Sequence, residues 1–126
     1  MWKISKRFRF EASHVLPSHA GKCARLHGHS WVAVITLASK ALAGEGPEVG
    51  MVADFGRLRH VVQPIVDRYL DHHHLNETTG LANPTSEHLA WWLFEAVSSA
   101  MPDDMANMLD SVTIEETCTS SCEYRP

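Results

Sequence analysis

The stretch HGHSWVAVITL, residues 27–37, decides the fold. It is rich in Val, Ile, Trp and Thr, the composition that is typical of a β-strand. Successive side chains of a strand leave opposite faces, so every second residue from His27 to Leu37 shares one face. We therefore predict a strand whose inward face starts with His27 and His29 and continues into the core through Trp31.

The N-terminal segment shows the same period of two. Its apolar side chains share one parity, and Lys3, Ser5, Arg7, Arg9 and Glu11 share the other. This alternation predicts a half-buried strand whose inward residues are Trp2, Ile4, Phe8, Phe10, Ala12 and, at its end, His14. Residues 15–26 contain proline, glycine and polar residues and are predicted to form a loop.

The segment after the second strand predicts a turn at residues 43–47, a short paired strand at residues 51–53 and then a helix. Asp54 is a suitable N-cap for this helix, and Pro64 should bend it or interrupt its hydrogen bonds. The apolar residues that recur at helical spacing are Phe55, Leu58, Val61, Val62, Ile65, Tyr69 and Leu70.

A second helix is predicted to begin around residues 84–86 and to end at Pro102. Its inward residues are expected to be Leu89, Trp92, Leu93, Ala96 and Val97. The last strand is predicted at residues 111–117, followed by a polar tail. Helices grouped between strands, without strand–helix alternation, indicate an α+β fold in which an antiparallel sheet carries the helices on one face.

Bulk properties limit the class of protein. The chain has 126 residues, of which 44% are hydrophobic, and this favours one domain over residues 1–126. Its formal net charge of −4 does not favour nucleic acid as a partner. We find neither a signal-peptide pattern nor an apolar run long enough for a membrane helix. The three cysteines are too few for a disulfide scaffold, so we expect a cytoplasmic protein.

Three histidines form a candidate metal site. His27 and His29 leave the same face of one predicted strand, and His14 ends another strand on its inward parity. Three imidazoles with an open fourth position are the ligand set of a catalytic zinc ion. Histidines at strand ends can also be ordinary polar residues without a metal.

Cys23 lies four residues before His27 and has several possible roles. As a fourth zinc ligand it would close the site and make it structural. As a thiolate favoured by the metal, Lys22 and Arg25, it would be a nucleophile or a base. Spacing leaves both roles open, beside that of an inert buried thiol.

Two further groups carry ionisable side chains. Asp71 precedes His72, His73 and His74, an arrangement in which a carboxylate can orient an imidazole for acid–base catalysis. The same run can be a second metal site or a solvated helix end. Glu116 shares the inward parity of the last strand, where a ligand ring with adjacent N–H donors, or a protein cation, would satisfy its charge.

Several stretches together resemble the 6-pyruvoyltetrahydropterin synthase family, most closely its bacterial 6-carboxytetrahydropterin synthase branch. They follow the family's order along nearly the whole chain. The matching stretches are FEASH (10–14), CARLHGH (23–29), MVADF (51–55), LDHHHLN (70–76), NPTSE (83–87) and ETCT (116–119).

The resemblance implies roles for individual residues. His14, His27 and His29 would bind zinc, whereas Cys23, Asp71 and His72 would be catalytic. Glu116 would bind the pterin ring, and we expect Thr85 and Ser86 to contact the substrate as well. From their position alone, Lys22, Arg25 and His19 are candidates to bind a triphosphate.

The resemblance also implies a fold, a reaction and an assembly. The expected tunnelling fold has a four-stranded antiparallel sheet with two helices, and its trimers stack into a homohexamer with active sites between subunits. The implied reaction converts 7,8-dihydroneopterin triphosphate into 6-carboxy-5,6,7,8-tetrahydropterin in queuosine and 7-deazapurine biosynthesis, with loss of triphosphate and acetaldehyde. The rival functions are a 6-pyruvoyltetrahydropterin synthase, which eliminates only triphosphate, and a non-catalytic protein that binds zinc and a pterin. Cys118 and Cys122 are expected to be free thiols.

Overall fold

The computed structural model describes all 126 residues and contains five strands and four α-helices. In chain order these are β1 (Trp2–His14), β2 (His27–Ser39), α1 (Phe55–Ile65), β3 (His73–His74), α2 (Leu75–Thr78), α3 (Ser86–Ala100), α4 (Asp103–Ala106), β4 (Leu109–Glu116) and β5 (Ser120–Tyr124). A 3-10 turn spans Lys22–Ala24, and a π-helical segment spans Val66–Leu70. No helix combines the length and apolar character needed to span a membrane.

The sheet has the strand order β3-β1-β2-β4-β5, and only the pair of β1 with β3 is parallel. The predicted α+β class and the two main helices on one face are confirmed, whereas the sheet has five strands instead of four. β5 lies in the segment predicted to be a polar tail. It pairs with β4 through a hairpin, and its Cys122 and Tyr124 pack against the core.

The predicted inward parities of the first two strands agree with the observed burial except at Trp2, which is 50% exposed because it lies at the start of β1, opposite the last residue of β2. Phe10 lies opposite Trp31 in the β1–β2 register, and their rings stack with centroids 5.9 Å apart. The indole Nε1 of Trp31 donates to the carbonyl of Ala12 at 3.1 Å. Through this buried pair, the core of the sheet extends to the end at which His14 lies opposite His27.

The first predicted helix begins as expected and changes geometry near its proline. The Asp54 carboxylate accepts from the backbone N–H of Gly56, which is the predicted cap. Pro64 cannot donate a backbone hydrogen bond, and the α-helix ends at Ile65 and continues as the π-helical segment.

Two further local predictions, both near the start of α1, are wrong. Residues 51–53 do not form a strand. Only two backbone hydrogen bonds join their segment to Ala43, and the segment forms turns instead. Phe55 was predicted to face inward, yet it is 51% exposed because it directly follows the N-cap, where the helix has not yet reached the core.

Candidate metal centre and active site

The three predicted histidines converge at one end of the sheet. His14 and His27 are directly paired, and His29 lies two residues further along β2, opposite Ala12. One ring nitrogen from each histidine lies within 4.8 Å of those of the other two. The Trp31 ring packs edge-on against both His14 and His29, with centroid distances of 5.0 and 5.3 Å. The two-residue spacing therefore brings these rings together over an aromatic floor.

Backbone carbonyls orient two of the three rings. The Nδ1 atom of His14 is 2.9 Å from the carbonyl oxygen of Pro84, and that of His27 is 2.7 Å from the carbonyl of Arg25. A carbonyl only accepts, so each of these nitrogens carries the proton, and the lone pair of each ring then lies on Nε2. The Nε2 atoms of all three histidines are buried and have no hydrogen-bond partner. Three imidazoles whose unpartnered nitrogens converge, two of them oriented by backbone carbonyls, fit zinc as three of its four ligands.

Glu116 and Ser86 lie at the edge of this centre. Glu116 Oε1 is 3.1 Å from His29 Nε2, and the two atoms do not form a hydrogen bond. Glu116 Oε2 accepts a hydrogen bond of 2.9 Å from the Ser86 hydroxyl. The Thr85 hydroxyl instead caps α3 by accepting from the backbone N–H of His88. Of the two predicted substrate contacts on this helix, Ser86 lies against Glu116 and Thr85 caps the helix.

The environment of His14 favours its neutral, metal-binding form. Burial lowers the pKa of this imidazole, the neighbouring His27 and His29 lower it further, and the bond to the Pro84 carbonyl works in the opposite direction. Its side chain is fully buried. A neutral ring is the form that can donate a lone pair to a metal ion.

This lowered pKa predicts how the stability of the metal-free protein depends on pH. As the pH falls through the ordinary histidine value of 6.5, the unfolded chain takes up a proton at His14 before the folded chain does. We expect the free energy of unfolding to decrease between about pH 7.5 and about pH 5.5, and to decrease less in a His14→Asn variant. Urea denaturation at both pH values measures this, and equal decreases in the two proteins would contradict it.

Cys23 lies in the 3-10 turn of the loop between β1 and β2. The carbonyl of Cys23 accepts from the backbone N–H of Leu16 at 2.9 Å, and this bond closes the loop. The thiol is free and half-buried, and its sulfur is not part of the group of converging metal-ligand atoms. Lys22 and Arg25 are exposed on the same loop and form no ion pair within the chain.

Asp71 and His72 form the predicted acid–base pair. Asp71 Oδ2 is 3.0 Å from His72 Nδ1, and Asp71 Oδ1 accepts from the backbone N–H of Glu11 at 2.9 Å. The bond from Glu11 contributes most to lowering the pKa of Asp71, and the bond to His72 adds to it. The side chain of His72 is 79% exposed. The carboxylate thus orients an imidazole that remains free to meet a ligand.

The pair lies beside an open cavity at the β1 edge of the sheet. His72 lines this cavity of about 490 Å³ together with residues of β1 and β2. The lining residues are Glu11, Ala12, Ser13, Gly28, His29, Ser30, His72, His73 and His74. Within one chain, therefore, His72 and His29 border the same cavity, whereas His14 and His27 do not line it.

The chain is similar to known proteins over nearly its whole length. A model of the family described as 6-pyruvoyl tetrahydropterin synthase matches residues 3–126. A Synechocystis protein named 6-carboxy-5,6,7,8-tetrahydropterin synthase is 47% identical over 98% of this chain and 93% of its own length. A Bacillus subtilis protein of the same name is 30% identical over 99% of this chain and 86% of its own.

Solved structures give the same result for the fold. A 6-pyruvoyl tetrahydropterin synthase from Caenorhabditis elegans is 27% identical and has a TM-score of 0.85, over 99% of this chain and 95% of that one. The Plasmodium falciparum 6-pyruvoyl tetrahydropterin synthase, 14% identical with a TM-score of 0.73, shares the fold over 99% of this chain and 97% of its own.

Proposed function

The chain belongs to the 6-pyruvoyl tetrahydropterin synthase family, and we propose that it is a zinc-dependent lyase that forms 6-carboxy-5,6,7,8-tetrahydropterin. Its substrates would be 7,8-dihydroneopterin triphosphate and one water molecule, with triphosphate and acetaldehyde as the other products. The observation that carries this proposal is the convergence of three unpartnered imidazole nitrogens beside the Glu116 carboxylate. The name of the 47%-identical relative supports the carboxy product.

The histidine centre and Glu116 would bind different parts of the substrate. His14, His27 and His29 would hold the zinc, whose Lewis acidity would polarise the side-chain oxygens of the substrate when it is bound. Glu116 would accept hydrogen bonds from adjacent N–H donors of the pterin ring, with Ser86 donating to its second oxygen.

Proton transfer is assigned to two groups. We propose that the Cys23 thiolate removes a proton from the substrate side chain and that His72, oriented by Asp71, exchanges protons at the opposite side. Lys22 and Arg25, exposed and without ion-pair partners, are the proposed contacts of the triphosphate on an otherwise acidic protein.

The open cavity bears on the assembly. Within one chain His72 and His29 border it but His14 and His27 do not, so the acid–base pair and the whole histidine centre do not share one pocket. A second copy supplying the pair would complete the site, and this supports a homohexamer built from two trimers with active sites between subunits. We further propose a cytoplasmic enzyme of queuosine and 7-deazapurine biosynthesis.

The product separates this function from its rivals. We expect zinc-loaded protein incubated with 7,8-dihydroneopterin triphosphate to yield the mass of the 6-carboxy pterin, with one acetaldehyde trapped by derivatisation per turnover. A 6-pyruvoyl product without acetaldehyde would indicate the activity named for the Caenorhabditis elegans relative. Binding without turnover would indicate a non-catalytic protein that binds zinc and a pterin.

A further inference from the structure

The side chain of Asn76 forms two hydrogen bonds with one backbone residue, Val15. Its Oδ1 accepts from the N–H of Val15 at 2.9 Å, and its Nδ2 donates to the carbonyl of Val15 at 2.9 Å. A carboxamide carries the same donor and acceptor as a peptide group. Asn76 therefore pairs with Val15 as a neighbouring strand would, and Val15 directly follows His14.

The position of Asn76 extends the edge of the sheet. The two residues of β3 pair with β1 at Ala12 and Ser13, and the chain then leaves the sheet to begin α2 at the fully buried Leu75. The next residue, Asn76, returns its side chain to β1 beyond His14. On this edge, the backbone of β3 pairs with Ala12 and Ser13, and the Asn76 side chain pairs with Val15, just beyond the end of β1.

Asn76 also reaches the segment that orients the ring of His14. Its Nδ2 has a second, longer contact of 3.4 Å with the carbonyl of Ala82, two residues before Pro84. The Pro84 carbonyl accepts the hydrogen bond from Nδ1 of His14 at 2.9 Å. One carboxamide therefore joins the two chain segments that meet at the His14–Pro84 bond.

From these contacts we propose that Asn76 is a positioning residue for the metal centre. It fixes the end of β1 relative to residues 82–84, so that the buried ring of His14 stays on the Pro84 carbonyl and its Nε2 points at the other two histidines. Without Asn76, the backbone N–H and carbonyl of Val15 lose their partners, and the end of β1 is free to move with the loop that follows it. This inference rests on the proposed zinc site.

The test compares zinc affinities. We expect Asn76→Ala to lower the affinity for zinc by about 10-fold in competition with a chromophoric chelator. This is the lower end of the range for losing a group that orients a ligand, because Asn76 acts on His14 through the backbone. The matched control is Thr78→Val on the same helix. It removes the bond from the Thr78 hydroxyl to the Tyr69 carbonyl without touching β1, and it should leave the affinity nearly unchanged. Visible absorption of the cobalt-substituted proteins reports the tetrahedral geometry, and the melting temperature reports folding.

A second variant covers the case in which Asn76→Ala does not fold. Asn76→Asp keeps the acceptor for the N–H of Val15 and removes the donor to its carbonyl, so we expect an intermediate loss of affinity. Wild-type affinity in every Asn76 variant that folds, or an equal loss in Thr78→Val, would overturn the positioning role. Failure of the unsubstituted protein to bind zinc would overturn the zinc site of the proposed function as well, and the two failures are thereby distinguished.

Discussion

Replacement of His27 by alanine is expected to give a folded protein that no longer retains zinc during purification. His27 is one of the three converging candidate ligands, and its loss would leave two imidazoles where a catalytic zinc ion takes three protein ligands. We expect the zinc affinity to fall by more than the roughly 100-fold that follows the loss of groups that orient a ligand. Turnover should fall with the bound metal, as measured by metal-to-protein ratio and by product formation in the same preparation.

His27 suits this experiment better than His14. The ring of His14 is fully buried, and its removal would leave both a cavity and the Pro84 carbonyl without its donor. His27 is only half-buried, and the Arg25 carbonyl that it bonds lies in an exposed loop where water can replace the ring. Loss of zinc from His27→Ala therefore reports ligation with little contribution from unfolding.

His88 provides the matched control. Its Nδ1 is 2.8 Å from the carbonyl of Asn83, so His88→Ala removes an imidazole bonded to a backbone carbonyl in the same manner as His27. His88 is exposed at the start of α3 and lies outside the converging group. His88→Ala should keep its zinc. Equal zinc content in the two variants would contradict the assignment of His27 as a ligand.

The histidine centre was predictable because a period of two needs no tertiary information. Once residues 27–37 form a strand, His27 and His29 must share a face, and the aromatic and aliphatic residues that follow them identify that face as the inner one. His14 was predicted to face the same side because its own strand ends on its inward parity. The β1–β2 register, which pairs His14 with His27, comes only from the structure.

What escaped prediction depends on backbone groups and on long-range pairing. The acceptors for His14 and His27 are main-chain carbonyls, which carry no side-chain signal in a sequence. β5 forms in a polar segment because β4 offers it an edge, and a local propensity does not reveal that edge. Asn76 lies in one of the stretches that resemble the family, but its spacing in the sequence does not show that it bonds to Val15.

The position of the acid–base pair relative to the histidine centre also required the structure. Asp71 and His72 follow a helix in the sequence, and their proximity to each other was predictable from adjacency. That His72 borders a cavity that includes His29 but neither His14 nor His27 follows only from how β3 adds to the edge of β1. Assembly of several copies is therefore part of the proposed chemistry.

Replacement of Cys23 by alanine should lower turnover by about 10²- to 10⁴-fold, the range for loss of a general base, while zinc content stays at the wild-type level. Zinc should be retained because the Cys23 sulfur lies outside the group of converging ligand atoms, so that the substitution removes none of the three imidazoles. Single-turnover formation of the pterin product, followed by mass, measures the effect. Cys122→Ala is the control, because this half-buried thiol packs against the core and burial raises its pKa.

Zinc content and turnover together separate the three roles of Cys23. Loss of turnover with zinc retained supports the base. Loss of both would make the thiol a fourth ligand of a closed site, and X-ray absorption of the unsubstituted protein would then show a sulfur shell near ~2.3 Å. Turnover above about a tenth of the wild-type rate would assign the proton transfer elsewhere, since general-base removal costs at least about 10²-fold. In that case His72 becomes the group to substitute next, because it is the exposed imidazole whose carboxylate partner already orients it.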